Sequence, residues 1–184
     1  MIDYTKDNHI HTCYSPDADP KATFQAYIEQ AVKLGLTEIT FTDHVDFDAV
    51  HPLFSTMIDY DKYIEDFNTV KQDSPIPIKL GVEIGYQEHM KETINAFLNS
   101  YDFEYVILSI HYIDKQDLYT GEYFSNKTKK ELWKSIYNNM ASCWNGRQSG
   151  LKIQWDLFPW RFESAQGHQP FFFCTVCYSA HTRL

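Results

Sequence analysis

The chain has 184 residues, of which 43% are hydrophobic, enough for one ordinary domain with a real core and too apolar for a disordered segment. Its formal charge of −9 argues against nucleic acid as a partner, because phosphate backbones recruit basic surfaces, although bound metal ions can still bring a phosphate to an acidic protein. No apolar run approaches the roughly 18 residues of a membrane span, and the start is polar, so the expected compartment is the cytoplasm with no membrane partner.

In chain order, a first short strand ends near His9. Residues 20–34 read as a helix, with Asp19 as cap, Pro20 in the first turn, a stripe of Phe24, Tyr27, Ile28, Ala31 and Val32, and Gly35 as stop. Residues 36–42 look like a buried strand. Residues 59–71 form a second helix, capped by Asp59 and ended by Pro75 and Pro77. Residues 78–86 are a strand, 87–98 a third helix and 104–112 a further strand, after which Thr128 starts a fourth helix through Leu132, Trp133, Ile136 and Tyr137. The order βαβαβαβα implies parallel strands joined by crossover helices.

Composition changes near residue 140. Residues 1–140 hold 23 acids and 12 lysines with no arginine, which leaves −11; residues 141–184 carry all three arginines, three of four cysteines and three of four tryptophans, with only Asp156 and Glu163 as acids. No helical or strand period persists there. Two readings follow: a loop-rich C-terminal extension, or a shifted or truncated reading frame that makes residues 141–184 an atypical tail beside a domain at 1–140. Four cysteines without framework spacing do not suggest a disulfide scaffold.

The residues able to hold a metal fall in a pattern. His9 and His11 close the first strand and Asp17 follows in the loop; Asp43 and His44 close the second strand, Glu83 the third and His111 the fourth. Singly, each signal is weak, since a lone histidine at a strand end is usually a satisfied surface or core residue. In a β/α barrel, however, the C-terminal strand ends meet on one face. The pattern therefore predicts a convergent set of imidazoles and carboxylates suited to zinc, manganese or iron, with one carboxylate able to bridge two ions. The His9-x-His11 spacing puts both rings on the same side of a strand.

His9-x-His11-Thr12-x-x-Ser15, Thr42-Asp43-His44, Glu83 and His111 resemble successive motifs of the polymerase-and-histidinol-phosphatase (PHP) superfamily. The spellings Ser15-Pro16-Asp17, Gly81-Val82-Glu83-Ile84-Gly85-Tyr86 and Ser109-Ile110-His111-Tyr112 are similar to those of its bacterial histidinol-phosphate phosphatases, over residues 3–140. The resemblance implies a distorted (β/α)7 barrel and up to three divalent ions: His9 and His11 on the first, Glu83 bridging to a second held by His111, and Asp17 with His44 on a third. It implies Asp43 as a partner that orients ligands, a metal-bound hydroxide as nucleophile, and hydrolysis of L-histidinol phosphate, a small phosphomonoester. The alternatives are an inactive or partner-dependent metal-binding fragment, or a PHP phosphoesterase acting on another phosphate.

The family's later ligands are a histidine in a Gly-His motif and an Asp-x-His. Gly167-His168 supplies only the dipeptide, which leaves His168 a weak candidate, and Cys174-x-x-Cys177 with His181 offers at most half a zinc site. His51, His89 and His181 read as surface residues. About four β/α units fit before residue 140, so the barrel is expected to be incomplete. Such a chain should show low solubility and weak or absent turnover.

Overall fold

The computed structural model describes residues 5–118, 120, 122–124, 127–145, 152–162 and 169–179. Its elements are β1 (Lys6–Ile10), α1 (Phe24–Leu34), β2 (Glu38–Phe41), β3 (His44–Val45), α2 (Tyr60–Asp73), β4 (Ile78–Gly85), α3 (Lys91–Ser100), β5 (Tyr105–Ser109), β6 (Tyr112–Ile113), β7 (Gln116–Asp117), α4 (Lys129–Asn145), β8 (Lys152–Phe162) and β9 (Gln169–Ser179). The main sheet runs β1-β2-β4-β5-β9-β8, with β3 beside β4. The pairs β1–β2, β2–β4, β3–β4 and β4–β5 are parallel. This is the mixed α/β half-barrel that the alternating segments predict. Among the described residues, no helix is long and apolar enough to cross a membrane.

Helix limits follow the capping chemistry. Asp59 caps α2 as expected, its side chain accepting from Lys62 N. At α1 the expected cap, Asp19, instead accepts from Lys21 N in a preceding turn. Thr23 takes the capping position, accepting from Ala26 N, so the helix starts later than residue 20. Gly35 closes α1 in the left-handed region at φ 73°, where glycine carries no Cβ penalty. Phe24, Ile28 and Ala31 of the expected stripe are buried, while Val32 is 45% exposed. The third helix divides into a 3-10 turn at Glu88–Met90 and α3. Its first residue, Gln87, is instead buried and donates its side-chain amide to Phe47 O at 2.7 Å.

The expected strand over 104–112 also divides. β5 ends at Ser109, and the chain turns through Ile110 and His111 into a small β6–β7 hairpin. Asp114 and Lys115 at that turn have φ of 52° and 60°, the sign pattern of the tight turns that match strand twist.

The core is packed around rings. Phe24 lies 4.8 Å from Phe41, 5.2 Å from Tyr63 and 5.9 Å from Phe67 between ring centroids, spacings that suit edge-on aromatic contacts. β4 is buried along nearly its whole length, as expected of a central parallel strand covered on both faces. Gly81 permits its close approach to its neighbours. A Cβ there would stand 2.9 Å from Phe41 O and 2.9 Å from Tyr105 O, backbone atoms of the strands on either side.

The segment after residue 140 departs from the loop-rich expectation. α4 continues without a break to Asn145, and β8 and β9 pair antiparallel over eleven residues each. β9 also pairs antiparallel with β5, from Tyr105↔Ser179 to Ser109↔Thr175. The physical reason is composition rather than period: both runs are rich in aromatic and β-branched residues, which favour extended backbone. Pro159 lies in β8, the last strand of the sheet order, where a missing N–H is tolerated.

Phe67→Ala should destabilise the chain by about 3–5 kcal/mol, the usual effect of deleting a core ring. Val32→Ala, at an exposed position, should change stability by less than about 0.5 kcal/mol. Urea unfolding of the two variants checks both, and equal midpoints would contradict this placement of the core.

Candidate metal centre

The strand ends bring four of the expected side chains, His9, His11, His44 and His111, onto one buried carboxylate. Glu83, near the end of β4, is 4% exposed. Its Oε2 lies 3.2 Å from His9 Nε2, 2.9 Å from His11 Nε2 and 3.4 Å from His44 Nε2. Its Oε1 accepts from Ser109 Oγ at 2.5 Å and lies 3.4 Å from His111 Nε2. Asp17, from the loop after β1, reaches the same cluster, 3.0 Å from His11 Nδ1 and 3.5 Å from His44 Nε2. His9 Nε2 and His11 Nε2 are themselves 2.9 Å apart, the convergence expected of alternate residues on one strand face.

Three overlapping donor groups result: His9, His11 and Glu83; His11, Asp17 and His44; and His44, Glu83 and His111, each with ligand atoms within 4.8 Å of one another. Tetrahedral coordination at 2.0–2.2 Å puts ligand atoms roughly 3.4 Å apart. The observed separations run from 2.9 to 3.5 Å, at or somewhat below that size. The donor set, neutral imidazole with carboxylate, suits zinc and other first-row divalent ions. His168 lies outside the described residues, as does His181.

Asp43 works differently from the expected ligand-orienting contact. It is fully buried, and its carboxylate accepts from Thr12 N at 2.7 Å, Thr12 Oγ1 at 3.0 Å and Ser15 N at 3.2 Å. It thereby fixes the backbone that follows His11 rather than an imidazole. Ser15 Oγ in turn accepts from His44 N at 3.0 Å. Besides Glu83 and Asp17, a third carboxylate touches imidazoles: Asp46, at His44 Nδ1 and His111 Nδ1. The sequence reading missed it. The available signal was its place two residues after His44, on the same side of an extended segment.

Of the histidines read as surface residues, His89 pairs with Asp48 at 2.9 Å and His51 accepts from Leu53 N. Both sit in loops outside the cluster.

Electrostatics follow from crowding opposite charges in a small volume. Burial opposes a charge on His11, but hydrogen bonds to Asp17 and Glu83 outweigh it and push the imidazolium up to about 10. Burial likewise opposes a charge on His44, while Asp17 and Asp46 raise it. Glu83 is held well below the usual carboxylate range: burial works against its charge, and contacts with His11, His111 and His9 overcome that cost. Asp46 is drawn down to about 2 by His111 and His44, again against burial. Metal-free, the cluster is therefore a set of mutually neutralising ion pairs in which protons occupy the positions that cations suit.

The PHP domain family matches residues 7–152. The chain belongs to that family. Among its relatives, a probable histidinol-phosphatase of Clostridium acetobutylicum is 32% identical over 138 residues, covering 74% of this chain and 51% of that protein. The histidinol-phosphatase of Lactococcus lactis is 32% identical over 128 residues, covering 68% and 46%. The crystal structure of the Lactococcus lactis histidinol phosphate phosphatase, complexed with zinc, L-histidinol and phosphate, superposes with a TM-score of 0.65 at 30% identity, covering 76% of this chain and 52% of that one. The chain thus spans about half the length of the relatives it matches. The PHP motifs and the incomplete barrel read from the sequence agree with these likenesses.

The raised His11 value fixes the sign of a pH effect. A histidine whose folded pKa exceeds its unfolded value stabilises the fold fully below the unfolded value and loses that contribution as pH rises through the folded one. In chelated protein, melting temperature should therefore fall as pH rises from 6.5 toward about 10. Zinc-saturated protein should fall less, because the cation replaces the departing protons. Parallel melts across that range test this; a chelated protein that gains stability with rising pH would contradict it.

Proposed function

We propose that the PHP domain carried by this chain is the metal-binding half of a divalent-metal-dependent phosphomonoesterase whose substrate is L-histidinol phosphate. The observation that carries the reading is one buried carboxylate, Glu83, with four imidazole nitrogens within 3.4 Å of its two oxygens. His9 and His11 with Glu83 would hold one ion, and Glu83 would bridge to a second held with His111. Asp17 and His44 would hold a third, with His11 adjoining. Zinc is favoured by the imidazole-rich set, while manganese and iron remain compatible with it.

When bound, such ions lower the pKa of a coordinated water and neutralise phosphate oxygens. The chain's own groups supply the frame. His9 and His11 at the end of β1, His44 in β3 and His111 after β5 would present lone pairs from three separate stretches of backbone. Glu83 places negative charge between them, and Asp43 holds the loop that carries Asp17 in place. Residues 1–140 contain no arginine, and cations at this cluster would give an acidic protein a means to hold a dianionic phosphate. No side-chain nucleophile is required. Cys13, although it lies within the first motif, is exposed and fills a small position there.

All six proposed ligands precede the compositional seam at residue 140, and we assign the metal-binding portion to residues 1–140, with 141–184 as a separate, atypical segment. A cytoplasmic setting and a small-molecule substrate accord with this reading.

Protein prepared without chelator should contain at least one divalent ion per chain by elemental analysis. The double variant His9→Ala/His11→Ala should lose about tenfold or more in affinity, as even indirect ligand partners commonly contribute that much. Near-zero metal, unchanged in the double variant, would sink the assignment. For the substrate, a complete barrel carrying residues 1–140 should release phosphate from L-histidinol phosphate faster than from p-nitrophenyl phosphate, and chelation should abolish both. Equal rates would retain the esterase and remove histidinol phosphate as its substrate.

A further inference from the structure

Asp46 follows β3 directly and engages two imidazoles at once. Its Oδ2 lies 3.0 Å from His44 Nδ1 and its Oδ1 2.6 Å from His111 Nδ1, and the residue is 6% exposed. An ionised carboxylate only accepts hydrogen bonds. Both contacts are satisfied when each ring carries a proton on Nδ1, which leaves Nε2 as the lone-pair nitrogen wherever a ring is neutral. Those two Nε2 atoms face Glu83, one 3.4 Å from Oε2 and the other 3.4 Å from Oε1.

The space for this arrangement is made by Gly85 at the end of β4. A Cβ there would stand 1.9 Å from Asp46 Oδ1 and 2.8 Å from His111 Nδ1. No side chain fits at residue 85 without dislodging the carboxylate from its two partners.

We propose that Asp46 is a positioning residue that fixes His44 and His111 together with Nε2 directed at Glu83, and that Gly85 keeps open the space this requires. The proposal rests on the metal-centre reading above. His44 belongs to two of the three donor groups and His111 to one, so a single carboxylate sets the geometry of neighbouring groups. Its loss would disturb both groups together.

The experiment uses the full 184-residue chain as wild type and as Asp46→Asn, Asp46→Ala, Gly85→Ala and the double variant Asp46→Ala/Gly85→Ala. Zinc affinity is measured by competition with a chromophoric chelator, and the imidazole N–H signals of zinc-loaded, nitrogen-15-labelled protein are recorded. Asp46→Asn, similar in shape but with one accepting oxygen for two rings, should weaken zinc binding about 10–100-fold. It should also remove at least one of the two protected Nδ1–H signals while leaving the circular dichroism of the chelated protein unchanged. Gly85→Ala should weaken zinc binding to a similar degree. The double variant should bind no worse than Gly85→Ala, because both changes remove the same contact. Wild-type zinc affinity in Asp46→Asn, with both Nδ1–H signals retained, would overturn the positioning role and leave the metal centre standing. Additive losses in the double variant would overturn the role given to Gly85. A wild-type chain that binds no zinc would overturn the metal reading and this proposal with it.

Discussion

A carboxylate buried at the centre of a sheet is the constraint around which this molecule is arranged. An isolated ion at that depth costs several kcal/mol even after relaxation, so Glu83 is tolerable only where opposite charge is supplied from several directions. Its strand, β4, has β2 and β3 along one edge and β5 along the other. Each neighbour, or the loop after it, delivers a group to the carboxylate: His44 from β3, Ser109 from β5 and His111 just beyond it. His9 and His11 come from β1, one strand further out. The parallel arrangement matters because it stacks every C-terminal strand end at the same level. An antiparallel strand at any of these positions would send its corresponding group to the opposite end.

The supporting polar contacts act mainly on backbone. Asp43 is fully buried and accepts from Thr12 and Ser15, Tyr60 Oη donates to Asp43 O, and Ser15 Oγ accepts from His44 N. These contacts tie the β1 loop to the end of β2, so that Asp17 and His44 approach to 3.5 Å. Hydrogen bonds to a charged acceptor are worth about 1.5–3 kcal/mol each, comparable with the loss of a core methyl or two. The ordering of this loop therefore depends on polar contacts as much as on apolar burial. Gly81 and Gly85 play the complementary part, since each makes room on β4 where a Cβ would strike a neighbour.

Much of this was legible in the sequence, and for a definite reason. His9, His11, His44, Glu83 and His111 fall at the ends of segments whose apolar periodicity already marks them as strands, so their convergence follows from topology. Asp59 and Gly35 marked helix ends by their capping chemistry. What escaped the sequence was settled by tertiary geometry. Asp19 and Thr23 are both acceptable caps, and only the backbone turn at residues 20–22 selects between them. Asp46 left only its place two residues after His44 as a local signal, because its second partner lies 65 residues away. Asp43 was expected to orient ligands, whereas its carboxylate accepts from Thr12 and Ser15; backbone N–H groups are invisible in a residue string. After residue 140 the period fails altogether, and strand pairing between β5 and β9 is decided by composition and by an available edge.

The order of strands in the sheet bears on how the centre comes together. β1, β2, β4 and β5 are neighbours in space in the order in which they are synthesised, so each pairing closes a loop of a few tens of residues. The entropy of closing such loops grows only slowly with their length. The pairing of β5 with β9, by contrast, joins Tyr105 to Ser179 across α4 and the β8–β9 hairpin. The donor groups thus lie wholly within the part of the molecule with the shorter-range connectivity. A chain emerging from the ribosome presents His111 long before β9 exists. Assembly of the histidine–carboxylate cluster can consequently run ahead of the antiparallel strands that later flank it.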